Sequence, residues 1–293
     1  MSSTNVLYDA PGPRARRFAV IGGSIATVAL LAVVGLVVIR LADRGQFAGT
    51  LWGPIVNPAD ENFSAVWGLI GKGTLATLTA AVLAIAFSLV VGVVVGVARM
   101  MLGRLSRMPI VALIELLRGL PVVITIYFAS RVLPELGLDL SGMPGGSGLW
   151  YLVIGLTAYN CVIIAEIIRA GVASLPRGQG EAALAIGLTP GASMRLVLLP
   201  QAVRVMLPAL ISQLVVILKD TSLAAVLGLY IELLRQGNLI ALNLDNPIQI
   251  LSVVAVIFIL MNYGLSRFAT WVDQGSARKT RSKPIEGVPA EVG

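Results

Sequence analysis

The sequence predicts an all-α membrane protein with six transmembrane helices, and three observations carry that prediction. Hydrophobic residues make up 57% of the 293 residues and charged residues only 13%, a balance too apolar for a water-soluble domain. The apolar residues gather in six long runs, each close to the roughly 20 residues that a helix needs to cross a hydrocarbon layer about 30 Å thick. Lys and Arg concentrate in alternate connections between those runs, the asymmetry expected when one side of a bilayer retains the cations.

The first run, Phe18 to Ile39, is uncharged and follows Arg14, Arg16 and Arg17. A cleavable secretory signal has an apolar stretch of about 7 to 15 residues. This run is longer and leads into Arg40, Asp43 and Arg44 without a small-x-small site, so it reads as a retained anchor. Residues 41–73 are polar and turn-rich, with Gly45, Gly49, Gly53, Pro54, Asn57 and Pro58, and predict a small outer loop or short surface helix. The second run, Thr74 to Ala98, is uncharged. The third, about Pro109 to Ser130, carries Glu115 and Arg118, and the breakers of residues 142–146 follow it. The fourth is about Leu149 to Ile168, the fifth about Val197 to Leu218 with Pro200 and Pro208 inside it, and the sixth about Pro247 to Arg267. Interruptions in the third and fifth predict kinks whose freed backbone groups face protein or a water-filled cavity.

With the N-terminus in the cytoplasm and six alternating spans, the cytoplasmic segments hold fifteen basic and five acidic residues, and the outer segments hold six basic and eight acidic. Both termini are therefore expected inside a bacterial cell membrane. The reverse topology would expose Arg99, Arg104 and Arg107 outside with no acid beside them. The net charge of +7 lies between apolar runs rather than on a soluble face, which argues against nucleic acid as a partner. The tail from 272 to 293 is basic and is expected to be disordered, solvated or in contact with anionic lipid heads.

Little in the composition supports catalysis or metal binding. Histidine is absent and Cys161 is the one cysteine, so there is no disulfide, no imidazole base and no thiolate metal cluster. Gly71-Lys72-Gly73-Thr74 lacks the glycines that would cradle a phosphate. No metal, cofactor or nucleotide is expected on this chain.

The loop from 169 to 197 is the most informative segment. Pro176 and Gly178 open a turn, Glu181 to Ile186 is a run of good helix formers, and Gly187 and Pro190 stop it. Such a short helix, with Ala182, Leu184 and Ile186 flanking it, would be unstable alone. It must either dock on the rest of the chain or insert into a partner.

These residues resemble the permease subunits of binding-protein-dependent ABC transporters. The matching residues are Glu181, Ala182, Ala183, Gly187, Val197, Leu199 and Pro200, with valine at 197 where isoleucine is usual. The polar amino-acid branch is similar at Arg118-Gly119-Leu120-Pro121, at Glu166 to Arg169 with Gly171, at Gln179 and Glu181 with Gly180 inserted between them, at Leu199 to Ala202 with Arg204 and Pro208, and at Lys219 to Leu223. The arrangement looks most like the glutamate permeases of actinobacterial uptake systems, in which an N-terminal extension occurs.

The resemblance implies a five-helix permease core over 74–271, preceded by the tail, anchor helix and outer loop of 1–73. It implies a non-catalytic subunit that works with two cytoplasmic ABC ATPase subunits, a second permease and an extracellular solute-binding protein to import a polar amino acid, with ATP and Mg held by the ATPases. Glu181, Ala182, Ala183, Gly187 and Pro200 are then the coupling residues. Charges near the membrane are candidates for the substrate path: Glu115 and Arg118 at i,i+3, or else a structural pair; and Lys219 and Asp220, or else a local ion pair, with Thr221 and Ser222 adding neutral hydrogen bonds. Glu166 and Arg169 read as a local pair ordering the approach to the loop. A standalone ion-coupled secondary amino-acid transporter or channel is the alternative, but it gives no reason for the 181–187 helix.

Overall fold

A computed structural model of the protein describes the backbone of residues 12–281 and the side chains of 12–271. The chain divides into two compact units that meet between Phe63 and Ser64. In the first, α1 (Pro13–Asp43) starts with proline at its first turn, where the missing N–H costs nothing. It is apolar on all sides and no residue of it is buried. Gly45, at φ +68°, turns the chain into α2 (Gly49–Val56). Trp52 Nε1 donates to the Gln46 carbonyl at 3.0 Å, and Asn57 and Asp60 accept from the N–H groups two residues on, so this loop is held by its own turns.

The second unit begins with α3 (Phe63–Met101), which starts eleven residues before the apolar run because Gly71, Lys72 and Gly73 do not stop it. Its buried face repeats small residues at every fourth position: Ala80, Ala84, Ser88, Gly92 and Gly96. A side chain at Gly92 or Gly96 would collide with Ile164 or the Ala165 backbone, so close helix approach is what these small residues provide.

The third span is not one rod. α4 (Arg104–Gly119) and α5 (Val122–Glu135) meet at a bend of 109°. Pro121 lacks an N–H and forces Leu120 out of the helical region, to ψ 141°, so the helix stops where the sequence suggested only an interruption.

α6 (Gly146–Ala173) is the centre of the unit. Leu152, Leu156, Ile164 and Ile168 join Ile126 of α5 in one core. Gly155 lets the α5 backbone lie against α6, since a Cβ there would strike the Ile126 Cα. The loop after α6 forms α7 (Arg177–Ala185) and α8 (Pro190–Ser193), then a π-helical turn, Met194–Leu198.

Next come α9 (Leu199–Asp220), α10 (Leu223–Leu227), α11 (Leu233–Leu244) and α12 (Pro247–Arg281). Ala202, Met206 and Ile217 of α9 and Ala224 of α10 complete the core around α6. The π turn directly precedes Pro200, where the Leu199 N–H reaches back to the Met194 carbonyl and the widened turn accommodates the proline ring. The tail expected to be disordered from 272 is instead helical as far as Arg281, as the last span simply continues; the remainder of the tail lies outside the described residues. Among the described residues, five helices can cross a bilayer singly, and α4 with α5 makes a sixth crossing when counted together.

Candidate coupling loop and translocation face

The loop after α6 is built around one glycine. Gly187 has φ +87°, its N–H bonds to the Leu184 carbonyl at 3.0 Å, and the Leu188 N–H bonds to the Ala183 carbonyl at 3.1 Å. This paired closure needs a left-handed residue, the conformation glycine adopts without a Cβ penalty. Thr189 then caps α8 by accepting from the Ala192 N–H at 3.3 Å. The two faces of the short helix differ. Ala183 is buried against the chain itself, and Gln201 of α9 donates to Gln179 at 3.2 Å. On the other side Leu184 is 50% and Ile186 79% exposed, and Glu181, Ala182 and Gly187 are exposed with them. Pro200 is exposed at the start of α9. A small helix thus stands fixed to the body while offering two apolar side chains and a carboxylate outward.

The body end of this loop is tied to α3. Glu166 binds Arg169 as the spacing predicted, but also Arg99 Nη1 at 3.0 Å, a partner 67 residues away in the chain. Arg99 and Glu166 are largely buried, at 17% and 22% side-chain exposure. The pair fixes the C-terminal parts of α3 and α6 to each other.

Glu115 and Arg118 are 3.6 Å apart and both about half exposed. Their neighbours on α4 set their depth: Ile114 and Leu117 pack with Cys161 and Val162, in the middle of α6. Leu116 and Leu120 share an apolar cavity of about 530 Å³ with Ile154, Gly155 and Ala158. The α4 segment before the 109° bend therefore sets this half-exposed charged pair level with the middle of α6.

Lys219 is exposed and Asp220 half-buried at the C-terminal end of α9, and no ion pair joins them among the described residues. Thr221 and Ser222 spend their hydroxyls on the Leu218 and Lys219 carbonyls at 2.7 and 2.8 Å, closing the helix end. No hydrogen bond or ion pair among the described residues connects this group with Glu115 and Arg118.

Two buried polar features carry no clear signal in the sequence. Gln213 Nε2 donates to Asn160 Oδ1 at 2.6 Å, and Asn160 donates to the Leu156 carbonyl at 2.8 Å, linking α9 to α6 in the interior. Glu232, fully buried, caps α11 by accepting from Leu234 and Arg235, while Thr77 accepts from the Leu233 N–H. Burial pushes the Glu232 carboxyl up to about 7, against the opposing pull of those two N–H donors and the Thr77 hydroxyl. Asn160 and Gln213 stand out only as neutral polar residues in apolar runs, and Glu232 only as an acid before a helix. No cluster of three or more potential metal ligands occurs among the described residues.

Residues 88–278 match the family model described as the binding-protein-dependent transport system inner membrane component. The chain is 37% identical over 252 residues to the glutamate transport system permease protein of Corynebacterium glutamicum, covering 86% of this chain and 89% of that one. It is 37% identical over 208 residues to the glutamine transport system permease protein of Escherichia coli K12, covering 70% and 93%. Among solved structures, an amino acid ABC transporter crystallised with histidines aligns at a TM-score of 0.63 and 26% identity, over 72% of this chain and 96% of that one. The inward-facing methionine ABC transporter shares the fold at a TM-score of 0.61 and 19% identity, over 71% and 96%. With the family model matching residues 88–278 and a 37% identical relative covering 86% of the chain, the chain belongs to the family of binding-protein-dependent transport system inner membrane components and is a non-catalytic membrane subunit.

Proposed function

We propose that this chain is the permease of an ATP-driven importer of polar amino acids, with glutamate as its substrate. The observation that carries the reading is the α7 helix, seated on its own chain through Ala183 while Glu181, Leu184 and Ile186 project outward. A cytoplasmic ATPase subunit receives that projecting face, so Glu181, Ala182, Ala183, Gly187 and Pro200 form the coupling region. ATP and Mg are bound by two such ATPase subunits and not by this chain. A second permease completes the membrane pore, and an extracellular solute-binding protein delivers the amino acid. Both termini lie in the cytoplasm, as the distribution of Lys and Arg supports.

Closure of the ATPases on ATP moves the coupling helices and shifts the paired permeases between inward-open and outward-open states. That shift requires the ATPase contacts to differ in energy between the two states. Arg118 and Lys219 supply positive potential along the route of an anionic amino acid, with Glu115, Asp220, Thr221 and Ser222 beside them. Glutamate is supported by the 37% identity to the Corynebacterium protein over 86% of this chain.

The test is uptake into proteoliposomes containing the chain, its partner permease and the ATPase subunits, with the solute-binding protein supplied outside. ATP-dependent accumulation of glutamate, above that of glutamine, arginine and histidine, is the expected result. Uphill uptake by this chain without ATPase subunits would replace the reading with a secondary transporter.

A further inference from the structure

The polar side chains of α9 are not distributed evenly around it. Arg204, Pro208, Ser212 and Lys219 are all exposed or half-buried, whereas Ala202, Met206, Gln213 and Ile217 are buried on the other side. At 3.6 residues per turn the first four positions fall within about 80° of the helix circumference. They run from near the cytoplasmic loop, where Gln201 meets Gln179, to the outer end of the span.

Lipid is a poor neighbour for this face. Pro208 has no N–H to give the Arg204 carbonyl, so a backbone acceptor loses its helical partner in the middle of a spanning helix. Arg204 and Lys219 have no acidic partner within salt-bridge distance among the described residues. Asp220, the nearest acid in sequence, is half-buried. Ser212 is the one hydroxyl on the face between them, donating to the Pro208 carbonyl at 3.0 Å. Two unpaired cations, a free carbonyl and a hydroxyl on one strip call for water or a polar solute.

We infer that this strip of α9 is a wall of the substrate path, with Lys219 attracting the anionic amino acid at the outer end, Ser212 contacting it midway and Arg204 receiving it near the cytoplasm. The inference rests on the import reading above and assigns Arg204, Pro208 and Ser212 to the path. Charge complementarity selects the occupant: a strip with two cations and no acid fits an anionic amino acid and discriminates against a cationic one.

The sole cysteine is buried, at 6% exposure, so a chain carrying Cys161→Ala offers a clean background for labelling. In the full reconstituted complex, Ser212→Cys should react with a charged, membrane-impermeant thiosulfonate, and glutamate with its binding protein should slow that reaction. Lys219→Gln and Arg204→Gln should raise the KM for glutamate about tenfold, the loss of one charged hydrogen bond, and that for glutamine by less. Labelling only by a lipid-soluble maleimide would place the face in lipid and overturn the inference. Labelling insensitive to glutamate, with disulfides forming between permeases, would make it a subunit interface and overturn it equally. Uptake by the unsubstituted complex is measured in the same vesicles: if that is ATP-driven and the Ser212→Cys variant stays unlabelled, only the α9 inference falls, whereas absent uptake removes the import reading itself.

Discussion

Gln213 of α9 and Asn160 of α6 are joined by a 2.6 Å side-chain hydrogen bond, and Asn160 passes the bond on to the Leu156 carbonyl. These two helices flank the α7–α8 loop on either side, and they also meet near it, where Gly171 leaves room for Met206. The two helices are therefore held to each other at two levels along their length.

Gln213→Leu should leave the Asn160 amide oxygen without its donor. Hydrogen bonds between membrane helices contribute on average about 0.6 and at most about 1.7 kcal/mol. Each single leucine variant should destabilise the detergent-solubilised protein within that range, and the Asn160→Leu, Gln213→Leu pair should cost less than the sum. Denaturant titration of the four proteins measures the coupling; strict additivity would show that the contact is idle.

Gly187 is constrained by backbone shape and not by crowding, because nothing lies within 4 Å of where its Cβ would be. Gly187→Asn, which tolerates a left-handed φ, should retain ATPase attachment. Gly187→Val should strain the closure by about 1–2 kcal/mol and weaken co-purification. Equal attachment by both variants would mean that the loop does not need this turn.

Arg99 and Glu166 lock the C-terminal parts of α3 and α6. Glu166→Gln should lower stability by about 1 kcal/mol, a figure discounted for partial exposure to solvent. A swap to Arg99→Glu with Glu166→Arg should recover part of the loss in a thermal-shift series, provided that the repulsion with Arg169 is also removed. Failure of any paired substitution to recover stability would leave Glu166 acting through Arg169 alone.

Glu232 gives the fold a pH-dependent stability. Its carboxyl is raised from 4.5 to about 7 on folding, so the folded protein holds this proton more tightly than the unfolded chain. The favourable contribution is complete below about pH 4.5 and is lost as pH climbs through 7, amounting to about 3 kcal/mol at most. Unfolding of the purified protein between pH 5 and 8 should show that slope, and Glu232→Gln should flatten it. An unchanged slope in the variant would assign the dependence to other groups.

The six apolar runs are legible in the sequence because lipid imposes a length and a composition on anything that crosses it. Gly187 is legible for a similar reason, since few residues accept a left-handed turn at the end of a helix. The 109° elbow is only half legible: Pro121 marks a break, but its angle depends on what α4 and α5 pack against, notably Gly155. Arg99 reads as one more cytoplasmic cation, because a partner 67 residues away leaves no local spacing to detect. The pairing of Asn160 with Gln213 is hidden in the same way, 53 residues apart, with neither residue charged. The early start of α3 shows the opposite limit, in which a polar stretch containing Lys72 is simply the outer end of a longer helix.

The proposed coupling rests above all on Ile186 and its neighbours on α7 touching an ATPase subunit and transmitting its closure. A photoreactive amino acid placed at position 186 of the chain, in the assembled complex, tests this directly. The expected result is an adduct with the ATPase subunit whose yield changes when ATP is bound and hydrolysis is blocked. An adduct only with the solute-binding protein, or none with the ATPase while ATP-driven uptake continues, would contradict it.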